Sequence, residues 1–256
     1  FHEGDAAHRY AETVRGTIAG LEESGKSLAA FIAETYPSVG GQIITPDGYL
    51  TEVYQHVRNA GGICIADEVQ TCYGRIGNAF YAFDQQGVVP DVVVLGKPIG
   101  NGHPLAAVVT RRDIADTFDN GMEFFSTFGG STLSCVIGRK VLEITQRDGL
   151  QEHARTVGQG ILARFEQLKQ KYPLIGDVRG AGLFLGIELV RDRESLEPAG
   201  REASDVSNAL KDAGILTGTD GPHHNVLKIR PPMPFDDANA DELVTALDQV
   251  LARFQS

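Results

Sequence analysis

Two short apolar runs constrain this chain more than any other feature. Ile63–Ala66 and Val92–Leu95 have the length and β-branched content of strands. Ahead of the first run, Leu50, Val53, Tyr54 and Val57 recur at helical spacing after the turn Pro46-Asp47-Gly48, and Gly61 stands where that helix should end. Ser27–Glu34 and Leu105–Thr110 read as further strands, and Asp113 is placed to cap the helix after them. Strands alternating with helices predict an α/β architecture on a mostly parallel sheet. Sheets of that kind collect ligands beyond the carboxyl ends of their strands.

Those ends carry unusual residues. The first run leads into Asp67, Glu68, Val69 and Gln70, and the second into the glycine-rich turn Gly96-Lys97-Pro-Ile-Gly-Asn-Gly-His. An amine and an acid at neighbouring strand ends suit a carbonyl cofactor: the lysine forms a Schiff base and the acid pairs with a ring nitrogen. Pyridoxal phosphate has that chemistry. An isolated lysine would instead be a surface charge, and an isolated strand-end aspartate a helix cap.

Composition narrows the partners. The chain has 256 residues, 42% hydrophobic and 22% charged, enough for one or two folded domains. With 34 acidic against 23 basic residues the net charge is -11, which points to small-molecule or protein partners and away from nucleic acid or an anionic membrane. No run approaches the roughly 20 apolar residues of a membrane span. Cys64, Cys72 and Cys135 are odd in number and lack CxxC spacing, so neither a disulfide framework nor a zinc site is expected, and a reducing cytoplasm fits. Cys64 reads as core. Adjacent His223 and His224 make a poor metal pair, so no metal is expected. The start, Phe1-His-Glu-Gly-Asp, has neither an initiator Met nor a basic-then-apolar leader, which suggests a chain beginning inside a larger protein.

Near residue 150 the pattern changes. Leu150–Tyr172 forms one long amphipathic helix with Ala154, Val157, Ile161, Phe165 and Leu168 on its apolar face, closed by Pro173. Gly180–Val190 reads as a strand, Ala203–Ala213 as a helix, Val226–Ile229 as a strand, and Leu243, Leu247, Val250, Leu251 and Phe254 as the face of a last helix. Arg191–Glu202 reads as a solvated loop. We therefore expect a large domain over residues 1–149 and a small α+β domain over residues 150–256.

Four motifs in order, Ile65-Ala-Asp-Glu-Val-Gln, Gly96-Lys97-Pro-Ile-Gly-Asn-Gly-His-Pro, Ser126-Thr-Phe-Gly-Gly and Arg179-Gly-Ala-Gly-Leu-Phe, resemble class III aminotransferase-type enzymes of fold type I. The likeness runs along nearly the whole chain. Gly96-Lys97-Pro with Asn101-Gly-His-Pro, and Asp220-Gly-Pro-His-His-Asn-Val-Leu-Lys-Ile-Arg-Pro-Pro-Met, resemble the ethanolamine-phosphate phospho-lyase branch more narrowly. The resemblance implies pyridoxal 5'-phosphate as cofactor, Lys97 as its covalent anchor and proton carrier, and Asp67 at the pyridinium nitrogen. It implies Gln70 at the phenolic oxygen, Val69 against a ring face, and Thr127 on the phosphate across the interface of a homodimer. Ser131-Thr132 stands where many relatives have Asn-Pro. Glu34, in Ile32-Ala-Glu-Thr, matches a glutamate near the active site, with Thr35 where proline is common.

Lys228 is the substrate clue. Relatives that bind an α-carboxylate usually carry arginine before the Pro-Pro pair, because a planar guanidinium grips a carboxylate with two bonds. Here Lys228 aligns with that arginine and Arg230 is displaced by two positions, on the same face of a strand. The change favours an amine substrate without that carboxylate. The resemblance then implies elimination of phosphate from phosphoethanolamine, giving acetaldehyde and ammonia. An aminotransferase acting on an ω-amine would use the same Lys97 and Asp67. The family also places a glycine-serine phosphate loop and a ring-stacking aromatic before the acidic motif, and neither is recognisable before Gly62. That implies an incomplete large domain, weak or absent catalysis by these residues alone, and a third reading as a non-catalytic dimerisation module.

Overall fold

The computed structural model describes residues 4–254, so the start at Phe1–Glu3, read above for a leader, lies outside them. The chain divides into two compact units. One comprises the described residues up to Thr35 with Thr45–Tyr73 and Tyr81–Asp148, and the other comprises Tyr36–Ile44, Gly74–Phe80 and the residues from Gly149 on.

The first unit is built on a four-stranded sheet in sequence order. Strands β1 (Ala30–Glu34), β2 (Ile63–Asp67) and β3 (Val92–Leu95) are parallel, and β4 (Ala107–Thr110) runs antiparallel to β3. Helices α1 (Ala6–Glu23) and α2 (Tyr49–Asn59) contribute Ala11, Ile18, Leu50, Val53, Tyr54 and Val57 to a core shared with Cys64 and Ala66 of β2. All four apolar positions predicted for α2 are buried, and Gly61, at φ 79°, turns the chain back after it. Asp91 locks the two central strands: its buried carboxylate accepts the Cys64 amide at 2.8 Å and pairs with Arg111. A short helix, α3 (Ala82–Gln85), lies between β2 and β3, and α4 (Arg112–Phe118) and α5 (Thr132–Arg147) follow β4. Asp113 is inside the first turn of α4 rather than its cap. The helix begins one residue earlier, at Arg112, with Arg111 at the cap position, and the Asp113 carboxylate accepts the Arg111 guanidinium.

The second unit has an antiparallel sheet of β5 (Ile175–Ala181), β6 (Phe184–Asp192), β9 (Val226–Ile229) and β8 (Gly218–Asp220) in that order, with β7 (Glu197–Pro198) on β6. Helices α6 (Leu150–Lys171), α7 (Gly200–Asp212) and α8 (Asp237–Leu251) close one apolar core over it. Every residue predicted for the α6 face is buried. The single strand expected at Gly180–Val190 is instead the meeting of β5 and β6. Gly182, at φ 54°, turns the chain there, and its carbonyl lies 2.0 Å from where a Cβ on Gly158 would stand. Glycine at 158 is therefore what lets α6 approach the hairpin. The loop expected at Arg191–Glu202 contains β7 and the first turn of α7, and Arg191 pairs with Glu197 and Glu202 across it.

Candidate functional site

Strand register gathers the predicted residues of the first unit on one edge. Glu34, the last residue of β1, is the lateral partner of Asp67, the last residue of β2, and Asp67 is the partner of Val94 in β3. Lys97 follows β3 after Leu95 and Gly96 and opens a 3-10 turn, Lys97–Ile99. Three chain ends thus present two carboxylates and an amine at the carboxyl edge of the parallel strands, where an α/β sheet places its ligands.

Lys97 sits at φ 39°, a left-handed conformation that residues with a Cβ rarely adopt. The loop around it is pinned. Gly100 is packed so closely that a Cβ there would lie 2.0 Å from the His103 carbonyl, and His103 reaches from the loop to the Ser134 hydroxyl of α5, Nε2 to Oγ 2.8 Å. His103 therefore ties the lysine loop to α5. Val69 lies over the residue before Lys97: a Cβ built on Gly96 would meet its two methyl carbons at 3.4 and 3.5 Å. Asp67 accepts the Val69 amide on Oδ1 at 2.9 Å, and among the described residues no bond uses Oδ2. That oxygen suits a ring N–H. Gln70 is buried beside it in sequence.

Thr127 is placed differently. It lies in an exposed segment, where Ser126 Oγ accepts the Gly129 amide at 3.0 Å in a tight turn. Met122, Phe124, Phe125 and Phe128, around it, are also exposed. Lys228 and Arg230 belong to the second unit. The Lys228 ammonium is held by Asp220 at 2.7 Å, and Asp220 also accepts the Gln42 amide at 3.0 Å. Arg230 stands over the Phe184 ring at 5.9 Å.

One residue of the acidic motif received no role from the sequence. Glu68 is fully buried, and its carboxylate accepts four hydrogen bonds. Burial pushes its pKa above the ordinary carboxylate value, against the pull of those bonds. Nothing in the sequence around it signalled a role, because Thr35, 33 positions away, reaches it only through the pairing of β1 with β2.

A family model described as aminotransferase class-III matches residues 2–251. A Drosophila melanogaster protein named alanine–glyoxylate aminotransferase 2-like is 44% identical over 98% of this chain and 51% of its own length. The Caenorhabditis elegans ethanolamine-phosphate phospho-lyase homolog 1 is 43% identical over 96% of this chain and 53% of its own. Among solved structures, an Arthrobacter phospholyase in complex with phosphoethanolamine superposes with a TM-score of 0.93 at 35% identity, over 98% of this chain and 61% of that one. The chain spans about half the length of the curated relatives it matches.

Proposed function

The chain belongs to the class III aminotransferase family, and from that premise we propose that it serves a phospho-lyase that eliminates phosphate from phosphoethanolamine or a similar phosphorylated amine. Pyridoxal 5'-phosphate is the cofactor of this family. The residues present fit it: Asp67 keeps Oδ2 for a ring nitrogen, Val69 offers an apolar surface next to Lys97, and Lys97 is held in a strained turn at the same edge. Lys97 would hold the cofactor covalently, with Asp67, Val69, Gln70 and Thr127 around it. When bound, the cofactor supplies an electron sink for the charge left by breaking a C–H bond next to nitrogen.

Lys97 Nζ takes the proton from the carbon bearing the substrate nitrogen. Phosphate leaves from the neighbouring carbon, and addition of one water gives acetaldehyde, ammonia and phosphate in balance. The Asp67 carboxylate would pair with the ring nitrogen and favour its protonated form. We assign residues 1–149 to the lysine-bearing domain and residues 150–256 to a small domain, with Lys228, Arg230 and Glu34 as substrate contacts.

The observation carrying the lyase reading is the Lys228–Asp220 pair. A point charge committed to a carboxylate does not offer the two-pronged grip that an α-amino acid requires. The relatives named phospho-lyase agree with it. The aminotransferase-named relative supports a second reading, amino transfer from an ω-amine. Incubation with cofactor and phosphoethanolamine, without any keto acid, should release phosphate and acetaldehyde together. Amine turnover that requires pyruvate would replace the lyase with the aminotransferase, and stable oligomers without cofactor uptake would leave a dimerisation module. We propose a homodimer in the cytoplasm, since the apolar run flanking Thr127 suits an interface; sedimentation should show twice the 27.5 kDa chain mass.

A further inference from the structure

We propose that Glu68 is a positioning residue whose buried carboxylate holds the Asp67–Gln70 turn in the geometry that cofactor binding uses. The inference rests on the proposed function and adds a supporting residue to its site. Glu68 Oε1 accepts the Thr35 hydroxyl at 2.8 Å and the Phe83 amide at 3.0 Å, while Oε2 accepts the Thr71 hydroxyl at 2.7 Å and the Ala82 amide at 3.0 Å. Each oxygen thus receives one hydroxyl and one main-chain donor. The hydrogen-bond capacity is well used, and a buried acceptor so satisfied carries little desolvation penalty beyond that of its charge.

The partners are the argument. Thr35 follows Glu34, Glu68 follows Asp67, and Thr71 follows Gln70. The carboxylate therefore belongs to the neighbour of Asp67 and is bonded beside two further candidate site residues, Glu34 at the end of β1 and Gln70 in the turn after β2. The main chain joins the same knot: the Thr35 amide donates to the Asp67 carbonyl at 3.3 Å, and the Glu68 amide donates to the Val94 carbonyl of β3, three residues before Lys97, at 3.0 Å. Ala82 and Phe83 close the far side with the start of α3. Among the described residues the Asp67 side chain accepts one bond, from the Val69 amide, so its aim depends on the main chain that Glu68 supports.

Glu68→Gln tests the arrangement because no orientation of an amide satisfies it. Its NH2 group must face the amide of Ala82 or of Phe83, donor against donor. Thr71→Val removes one hydroxyl and is the milder variant, with Thr71→Ser as the rescue that restores it. Leu247→Ala, in the core of the second unit, is the control for lost stability alone. The whole chain is titrated with pyridoxal phosphate, recording the dissociation constant, the pH midpoint of the bound cofactor's visible band, and covalent retention at Lys97 by peptide mass after borohydride reduction. Glu68→Gln should weaken binding about tenfold or more, as loss of an outer supporting partner does, and should move the band's pH midpoint. Thr71→Val should do the same to a smaller extent, Thr71→Ser should return to wild type, and Leu247→Ala should leave the midpoint unmoved. Wild-type affinity and midpoint in Glu68→Gln and Thr71→Val overturn the role of Glu68 while the proposed function stands. Failure of the wild-type chain to retain cofactor at Lys97 overturns the proposed function and this inference together.

Discussion

The two units spend their apolar residues differently. The second closes a single core in which Phe165, Phe184, Ile161, Leu185 and Leu189 have no exposed surface. The first divides its core between α1 and α2 on the sheet and a small group around Cys72, Leu95 and Ile99, while Ile32 and Val108 stand exposed on the strands. A parallel sheet ordinarily buries both faces, whereas an antiparallel one is stable with helices on one. The unit with more exposed apolar side chains is also the one with strained Lys97 and buried Glu68. The fully closed core and the residues proposed to hold the cofactor thus lie in different parts of the chain.

Substitution can break that contrast. Lys97→Ala should abolish covalent retention of pyridoxal phosphate and leave the urea melting of the second unit unchanged; retention at another lysine would remove the site from this edge. Phe165→Ala should cost roughly 3–5 kcal/mol in urea denaturation, the range for a fully buried aromatic. Phe128→Ala, at a residue 85% exposed, should cost no more than about 0.5 kcal/mol in the monomer. Similar costs at both positions would mean that the loop around Thr127 is packed in solution.

Acid separates the units by sign and gives the smallest effect. Asp248 lies below its ordinary 3.8 because Lys171 and the Tyr172 hydroxyl bond to its carboxylate. A lowered acid contributes stability above 3.8 that is lost as pH falls through the folded value. Glu68 lies above its ordinary 4.5, so its ionisation destabilises the folded chain as pH rises from 4.5 through the folded value. Asp248→Asn should therefore flatten the loss of stability below pH 3.8, and Glu68→Gln the loss above 4.5, each followed by urea midpoint against pH.

Much of the fold was legible because local period and packing agree. β3 and β9 have the predicted bounds, and the apolar faces of α2 and α6 are buried as their spacing requires. Helices α1 and α5 escaped notice because few of their side chains are buried: α1 buries Ala6, Ala11 and Ile18, and α5 only Gly138 and Thr145. The β5–β6 turn was hidden by apolar residues on both sides of Gly182, since β6 is buried on both faces and shows no alternation. At the site, strand-end logic placed Asp67 and Lys97 together, and register added Glu34. The bonds around Glu68 join residues up to 33 positions apart, beyond any local pattern.

The backbone of Lys97 has a practical consequence. A left-handed residue with a side chain sits roughly 1–2 kcal/mol above glycine's comfort at the same angles, so Lys97→Gly should relax the turn while Lys97→Ala keeps its tension. The glycine variant should unfold at a temperature equal to or above that of the parent chain although it has lost its amine. Any screen that rewards heat resistance alone would then enrich chains without that amine, and a library built on this chain needs position 97 held fixed.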